Sequence, residues 1–144
     1  MKQKVPVSVI MTKNIVKLNL TDDLSKAEVL FKNNKIRHIP VVNHCEIVGI
    51  LSLTDLMRVS CPESIDDAEN EGVESLVYNM FTIAQVMSKE VVTVKPYTTI
   101  KEVATLLAEK EFHALPVCDG SNLVGIVTTT DLIKYLLSQY DAED

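Results

Sequence analysis

The sequence predicts a mixed α/β (α+β) chain made of two β-α-β-β-α repeats, and three observations predict it. The string Gly49-Ile50-Leu51-Ser52-Leu53-Thr54-Asp55-Leu56 returns as Gly125-Ile126-Val127-Thr128-Thr129-Thr130-Asp131-Leu132, 76 residues later. That same offset, with no gap, sets Met11 on Met87, Lys13 on Lys89, Val16 on Val92, Leu30 on Leu106, Pro40-Val41 on Pro116-Val117 and Val48 on Val124. Inside each copy, short β-branched runs alternate with stretches of helical apolar spacing, in the same order.

In the first repeat, Val5–Met11 reads as a short helical or irregular lead-in and Ile15–Leu18 as a strand. Thr21 or Asp22 is the expected helix cap, with Leu24, Ala27, Leu30 and Phe31 on the inner face of a helix that fades at Asn33-Asn34. His38–Val42 and Ile47–Leu51 flank the polar turn Asn43-His44 as a hairpin, and Thr54 opens a helix to about Ser60. The second repeat repeats the order. Val91–Val94 is a strand, and Thr98–Glu111 is a helix with Ile100, Val103, Ala104 and Leu107 inward. Leu115–Cys118 and Leu123–Val127 form a hairpin around Asp119-Gly120, and a last helix runs from Thr130 to about Gln139.

Between the copies, residues 59–84 carry six acids (Glu63, Asp66, Asp67, Glu69, Glu71, Glu74) and no Lys or Arg. The part from Cys61 to Gly72 reads as an exposed acidic loop. Val73, Leu76, Val77, Met80 and Phe81 then fall at amphipathic helical spacing, a face that packs on its own protein or across a dimer. The expected organisation is therefore residues 1–58 as the first repeat, 59–84 as acidic loop and connecting helix, and 85–144 as the second repeat with an acidic tail.

Charge and composition narrow the function. A net charge of −6 over 144 residues argues against sequence-independent nucleic-acid binding, which needs a cationic face. Residues 1–57 hold eight Lys/Arg against five Asp/Glu, and the remainder six against fifteen, so an anionic ligand is expected to favour the first repeat. Three cysteines without a CxxC pair suit a reducing cytoplasm. The N-terminal apolar run is broken by Pro6 and Ser8, so no signal peptide is expected, and no run approaches the roughly 20 residues of a membrane span. His38, His44 and His113 show no metal-ligand spacing.

The corner where strand meets helix carries the chemistry. Ser/Thr-x-x-Asp at a helix start has the pattern of a capping box, which would satisfy backbone donors and nothing more. Two copies in the same place, each after Gly-Ile-x, suggest more. Hydroxyls and amides at a helix N-terminus suit a phosphate. A fixed carboxylate accepts the hydroxyls of a ribose. Ile15, Val16, Val91 and Val92 are apolar neighbours able to sandwich a base. Together these describe a nucleotide cleft.

With its Gly-h-h-[Ser/Thr]-x-[Ser/Thr]-Asp-h corners, its Arg37–Val42 and His113–Val117 segments and its Val9–Thr12 and Gln85–Ser88 lead-ins, the chain resembles a tandem pair of CBS domains, a Bateman module, from about Val5 to Leu137. The resemblance implies a small stand-alone protein with pseudo-two-fold symmetry, its two repeats packed through their sheets, and two clefts drawing on both repeats. One is expected to join Thr12, Ile15, Arg37 and His38 to Thr128, Thr130 and Asp131. The other joins Ser88, Val91 and His113 to Ser52, Thr54 and Asp55. The implied ligands are adenosine compounds (AMP, ADP or ATP, S-adenosylmethionine, NAD), with no required cofactor or metal. Arg37-His38 offers a permanent cation that His113-Ala114 lacks, so the Asp131 cleft is expected to be the tighter phosphate site.

Three functions compete. The first is a regulatory, adenylate-sensing binding module, a homodimer through the helices after Thr54 and Thr130, acting on a separate protein partner. The second is an enzyme, against which stand the lack of a Walker A loop or GxGxxG and the absence of a Ser/His/Asp arrangement. The third is a dimerisation module with vestigial clefts. The duplicated corner favours the first.

Overall fold

Why strand 1 and its counterpart differ between the repeats is settled by one residue, and the rest of the fold follows the duplication closely. The structure, a computed structural model, describes residues 4–60, 79–110 and 112–143. The acidic loop, most of the amphipathic segment that follows it, and Glu111 lie outside the described residues. The chain divides into two compact units: a contiguous one, Val16–Val91, and a discontinuous one formed by Met1–Ile15 with Val92–Asp144.

The contiguous unit holds β1 (Leu18–Asn19), α1 (Leu24–Asn34), β2 (His38–Asn43), β3 (Glu46–Ser52), α2 (Leu53–Ser60) and α3 (Ile83–Val86). β1 runs parallel to β2, with Leu18 opposite Val41, and β2 pairs antiparallel with β3, with His38 opposite Ser52. The first strand is therefore shorter and later than the expected Ile15–Leu18. Its helix is capped by Asp23, whose side chain accepts the Lys26 N–H at 2.9 Å, rather than by Thr21 or Asp22. Asp22 is occupied one step earlier, accepting the Asn19 N–H at 2.8 Å and the Lys26 ammonium at 3.1 Å. Burial raises the Asp22 pKa, but the Asn19 amide and Lys26 outweigh it and leave the carboxyl below its ordinary value. α1 ends where Lys35 turns left-handed at φ 52°. Leu18, Leu24, Ala27, Phe31, Ile39, Val41, Leu51, Leu56 and Ile83 form the buried core.

The discontinuous unit holds a 3-10 turn at Val7–Val9, α4 (Ile100–Lys110), β4 (Ala114–Asp119), β5 (Asn122–Thr128) and α5 (Thr129–Glu143). Ala114 lies opposite Thr128 in the antiparallel β4–β5 pair, as His38 does opposite Ser52. Both hairpins carry a bulge at matching places, Val41/Val42 and Val117/Cys118. Both turn through a positive φ, 60° at His44 and 63° at Gly120. The expected Val91–Val94 strand is reduced to one parallel bridge, Val94 with Val117. In the contiguous unit the ladder goes on because the Leu20 N–H donates to the Val42 carbonyl at 2.8 Å. The residue matching Leu20 is Pro96, which has no N–H to give. α4 starts one residue after Thr99, which shares a capping box with Glu102: each backbone N–H reaches the other's side chain at 3.1 Å. α5 extends about one turn beyond the expected Gln139. The core here is Val7, Val94, Val103, Leu107, Leu115, Val117 and Val127. Cys118 is buried beside it, and burial pushes its thiol pKa up. No helix among the described residues is long and apolar enough to cross a membrane.

Each unit is completed by a lead-in from outside its own hairpin. In the contiguous unit Ser88 and Ile50 exchange backbone hydrogen bonds at 2.8 and 3.0 Å. In the discontinuous unit Thr12 and Ile126 do so at 2.8 and 3.0 Å. Val7, in the N-terminal lead-in, is fully buried among residues that come from beyond position 93.

Candidate functional site

In each unit the last strand enters its helix with no intervening loop, β3 into α2 and β5 into α5. The strand's ladder therefore fixes the helix's first turn. In the discontinuous unit Thr128 Oγ1 accepts the Asp131 N–H at 3.1 Å, and Asp131 Oδ2 accepts the Thr128 N–H at 3.0 Å. The capping pattern read from the sequence is thus formed in full. Among the described residues it leaves Asp131 Oδ1 with only the Thr12 hydroxyl, 3.5 Å from both carboxylate oxygens and at the outer limit of a hydrogen bond. Thr12 is held there by its two backbone bonds to Ile126. Thr130 is exposed on the same first turn, and Ile15 is half-buried. The structure therefore gathers Thr12, Thr128 and Asp131 into one cluster, with an acceptor oxygen and a hydroxyl still to spare.

The matching corner of the contiguous unit is differently committed. Ser52 Oγ accepts the Asp55 N–H at 3.0 Å, but Asp55 Oδ1 is held by Arg58 at 3.3 Å. The residue matching Arg58 is Lys134, which forms no ion pair among the described residues. Among the described residues Asp55 thus has a cation of its own and Asp131 has none, a difference not marked by the repeated motif although Arg58 sits three residues from Asp55. Thr54 and Ser88 are exposed and Val91 is half-buried.

The expected cleft partners fall as follows. Arg37 and His38 belong to the contiguous unit, where the Arg37 carbonyl accepts the Leu53 N–H at 2.8 Å, next to the Asp55 corner. His113 belongs to the discontinuous unit, where its carbonyl accepts the Thr129 N–H at 3.0 Å, next to the Asp131 corner. The backbone ahead of each hairpin is thus fastened to its own unit's corner.

The glycines of the motif have a structural reason. A Cβ at Gly49 would lie 2.9 Å from both Met87 Cγ and the Ser88 carbonyl oxygen. One at Gly125 would lie 2.5 Å from Met11 Sδ and 3.0 Å from Met11 Cγ. Each glycine makes room for the methionine of the lead-in crossing it.

The duplicated fold has counterparts among known proteins. The CBS domain pattern matches residues 7–61 and 83–138. The chain is similar to protein MJ1426 of Methanocaldococcus jannaschii, 33% identical over 81% of this chain and 82% of that one. It is also similar to protein MJ1404 of the same organism, 29% identical over 90% of this chain, but spans only 31% of that protein's length. Among solved structures, CBSX2 in complex with AMP superposes with a TM-score of 0.77 at 22% identity, covering 94% of this chain and 98% of that one. The CBS domain pair of protein MJ0100, in complex with 5'-methylthioadenosine and S-adenosyl-L-methionine, gives 0.72 at 23% identity over 94% and 98%. These likenesses establish the fold.

Proposed function

Because the chain belongs to the CBS domain family, we propose that it is a regulatory module that binds an adenosine nucleotide without transforming it and signals to a separate partner. One observation carries this reading. The Asp131 carboxylate is fixed by the start of α5, flanked by the Thr12 and Thr128 hydroxyls, and keeps an oxygen uncommitted to any cation among the described residues. A carboxylate so placed is a hydrogen-bond acceptor suited to the two hydroxyls of a ribose. Thr130 and Ile15 are the further contacts proposed on this side. The family resemblance adds Arg37 and His38 as the groups for a phosphate. Ser52, Thr54, Asp55, Ser88, Val91 and His113 form the second, weaker set, because Asp55 already holds Arg58. CBS pairs of this fold hold AMP, or methylthioadenosine and S-adenosylmethionine, which supports the adenosine class of ligand.

A thermal-shift screen with AMP, ADP, ATP, S-adenosylmethionine and NAD tests the proposal. A ligand at about 100 times its Kd stabilises the folded state by roughly 2.7 kcal/mol. Asp131→Ala should abolish that increment and Asp55→Ala should leave most of it. Since Asp131 also caps α5, Asp131→Asn is the control that keeps a cap acceptor while removing the second ribose acceptor. Loss in Asp55→Ala with retention in Asp131→Ala would move the main site to the other corner. No shift with any compound would favour an interaction module with empty clefts, and release of product from a nucleotide would favour an enzyme.

A further inference from the structure

We propose that the discontinuous unit carries a ligand site apart from the Asp131 corner: a cationic groove that takes a small phosphoanhydride-type polyanion. The groove has a volume of about 990 Å³, within the range of small-molecule sites. Three lysines line it from three separate stretches: Lys4 before the 3-10 turn, Lys95 after the Val94 bridge, and Lys101 in the first turn of α4. In a chain of net charge −6, lysines are expected to meet carboxylates, yet none of these three forms an ion pair among the described residues. Lys95 instead lies 5.6 Å from the Tyr97 ring centroid, a contact that holds the ammonium without neutralising it. The one lining acid, Glu102, has its Oε2 on the Thr99 N–H.

The hydroxyls point to an anion as well. Thr98 Oγ1 accepts the Lys95 N–H at 3.0 Å, and Thr99 Oγ1 accepts the Glu102 N–H at 3.1 Å. Each therefore retains its O–H proton as a donor. The amides of the first turn of α4 are partly taken up by the Thr99–Glu102 box, so the attraction comes from the lysines and hydroxyls rather than from the helix end. Three point-charge ammonium groups suit a ligand with several anionic oxygens better than a single carboxylate. Val94 and Leu106 add apolar lining for any organic body attached to it. The sequence placed the favourable region for anions in residues 1–57; the groove takes one of its lysines from there and two from the acidic half.

The test is titration of the full chain with inorganic pyrophosphate, followed by calorimetry and by NMR shifts of backbone amides. The expected result is saturable binding that moves the Lys95, Thr98, Thr99 and Lys101 amides and weakens as salt is raised. Lys95→Gln and Lys101→Gln should each weaken binding about tenfold, and Asp131→Ala should leave it unchanged. Competition by ADP but not AMP would identify a nucleotide's anhydride as the source; competition by neither would identify the free polyanion. All three lysines are exposed, so the variants retain the fold, with circular dichroism as the check. Binding that is undetectable, or that is indifferent to both lysine variants, would overturn the proposal.

Discussion

At Gly49 and Gly125 the absent side chain is replaced by a thioether from elsewhere in the chain, and the two positions differ in how that neighbour can yield. All three atoms nearest a Cβ at Gly125 belong to the flexible Met11 side chain. At Gly49 one of the three is the Ser88 carbonyl oxygen, which is itself bonded to the Ile50 N–H. A methyl group at Gly125 can be met by rotation of a side chain, whereas at Gly49 backbone must move. Gly49→Ala is therefore expected to destabilise by about 1–3 kcal/mol and Gly125→Ala by less, as read from urea unfolding midpoints. Equal losses would show that the methionines, not the backbone, set the tolerance. The glycine positions were legible in the sequence from the duplication, but their cause was not, because nothing local to Gly125 marks Met11 as its neighbour. Asp23 went unread for a similar reason. Thr21, Asp22 and Asp23 all suit a cap, and only the prior commitment of Asp22 to Asn19 and Lys26 decides among them.

Among the elements, the hairpins were the most legible and the lead-ins the least. Alternating β-branched residues and a polar turn locate β2–β3 and β4–β5 to within about a residue. The first strand departs from its sequence pattern in both repeats: apolar character extends to Ile15 and Val91, but pairing begins only at Leu18 and is cut short at Pro96. For the site, the corner residues were evident from their repetition, whereas the Arg58 contact that separates Asp55 from Asp131 lies off the repeated motif. The lead-ins have a direct test. Val7 is fully buried in a core otherwise built from residues beyond position 93. Val7→Ala should cost about 2 kcal/mol, and hydrogen exchange should quicken at Ile126 and Val127. If exchange quickens in the Val16–Val91 unit instead, the N-terminal segment does not belong to the core assigned to it.

For the whole molecule, α5 leaves Ile133, Leu136, Leu137 and Tyr140 exposed by 57, 42, 57 and 62%, spaced three and four residues apart. Met57 on α2 is exposed by 52%. Helical apolar stripes of this kind mark association surfaces, and a homodimer closed through α2 and α5 is the expected assembly. Light scattering should give twice the chain mass for the parent and the single chain mass for Ile133→Glu combined with Leu137→Glu. A monomeric parent would remove this expectation.

The discontinuous unit also sets an order on biosynthesis. Val16–Val91 is an uninterrupted stretch and can close while the ribosome is still adding the second hairpin. The segment ending at Ile15 cannot. Its hydrogen-bonding partner Ile126 and the core that receives Val7 are translated far later, a delay of about 4 to 22 s at ordinary elongation speeds. Through that interval Val7, Ile10 and Met11 travel with no core of their own to enter. A nascent chain stalled before Asn122 would present them to whatever chaperone or protease meets it first.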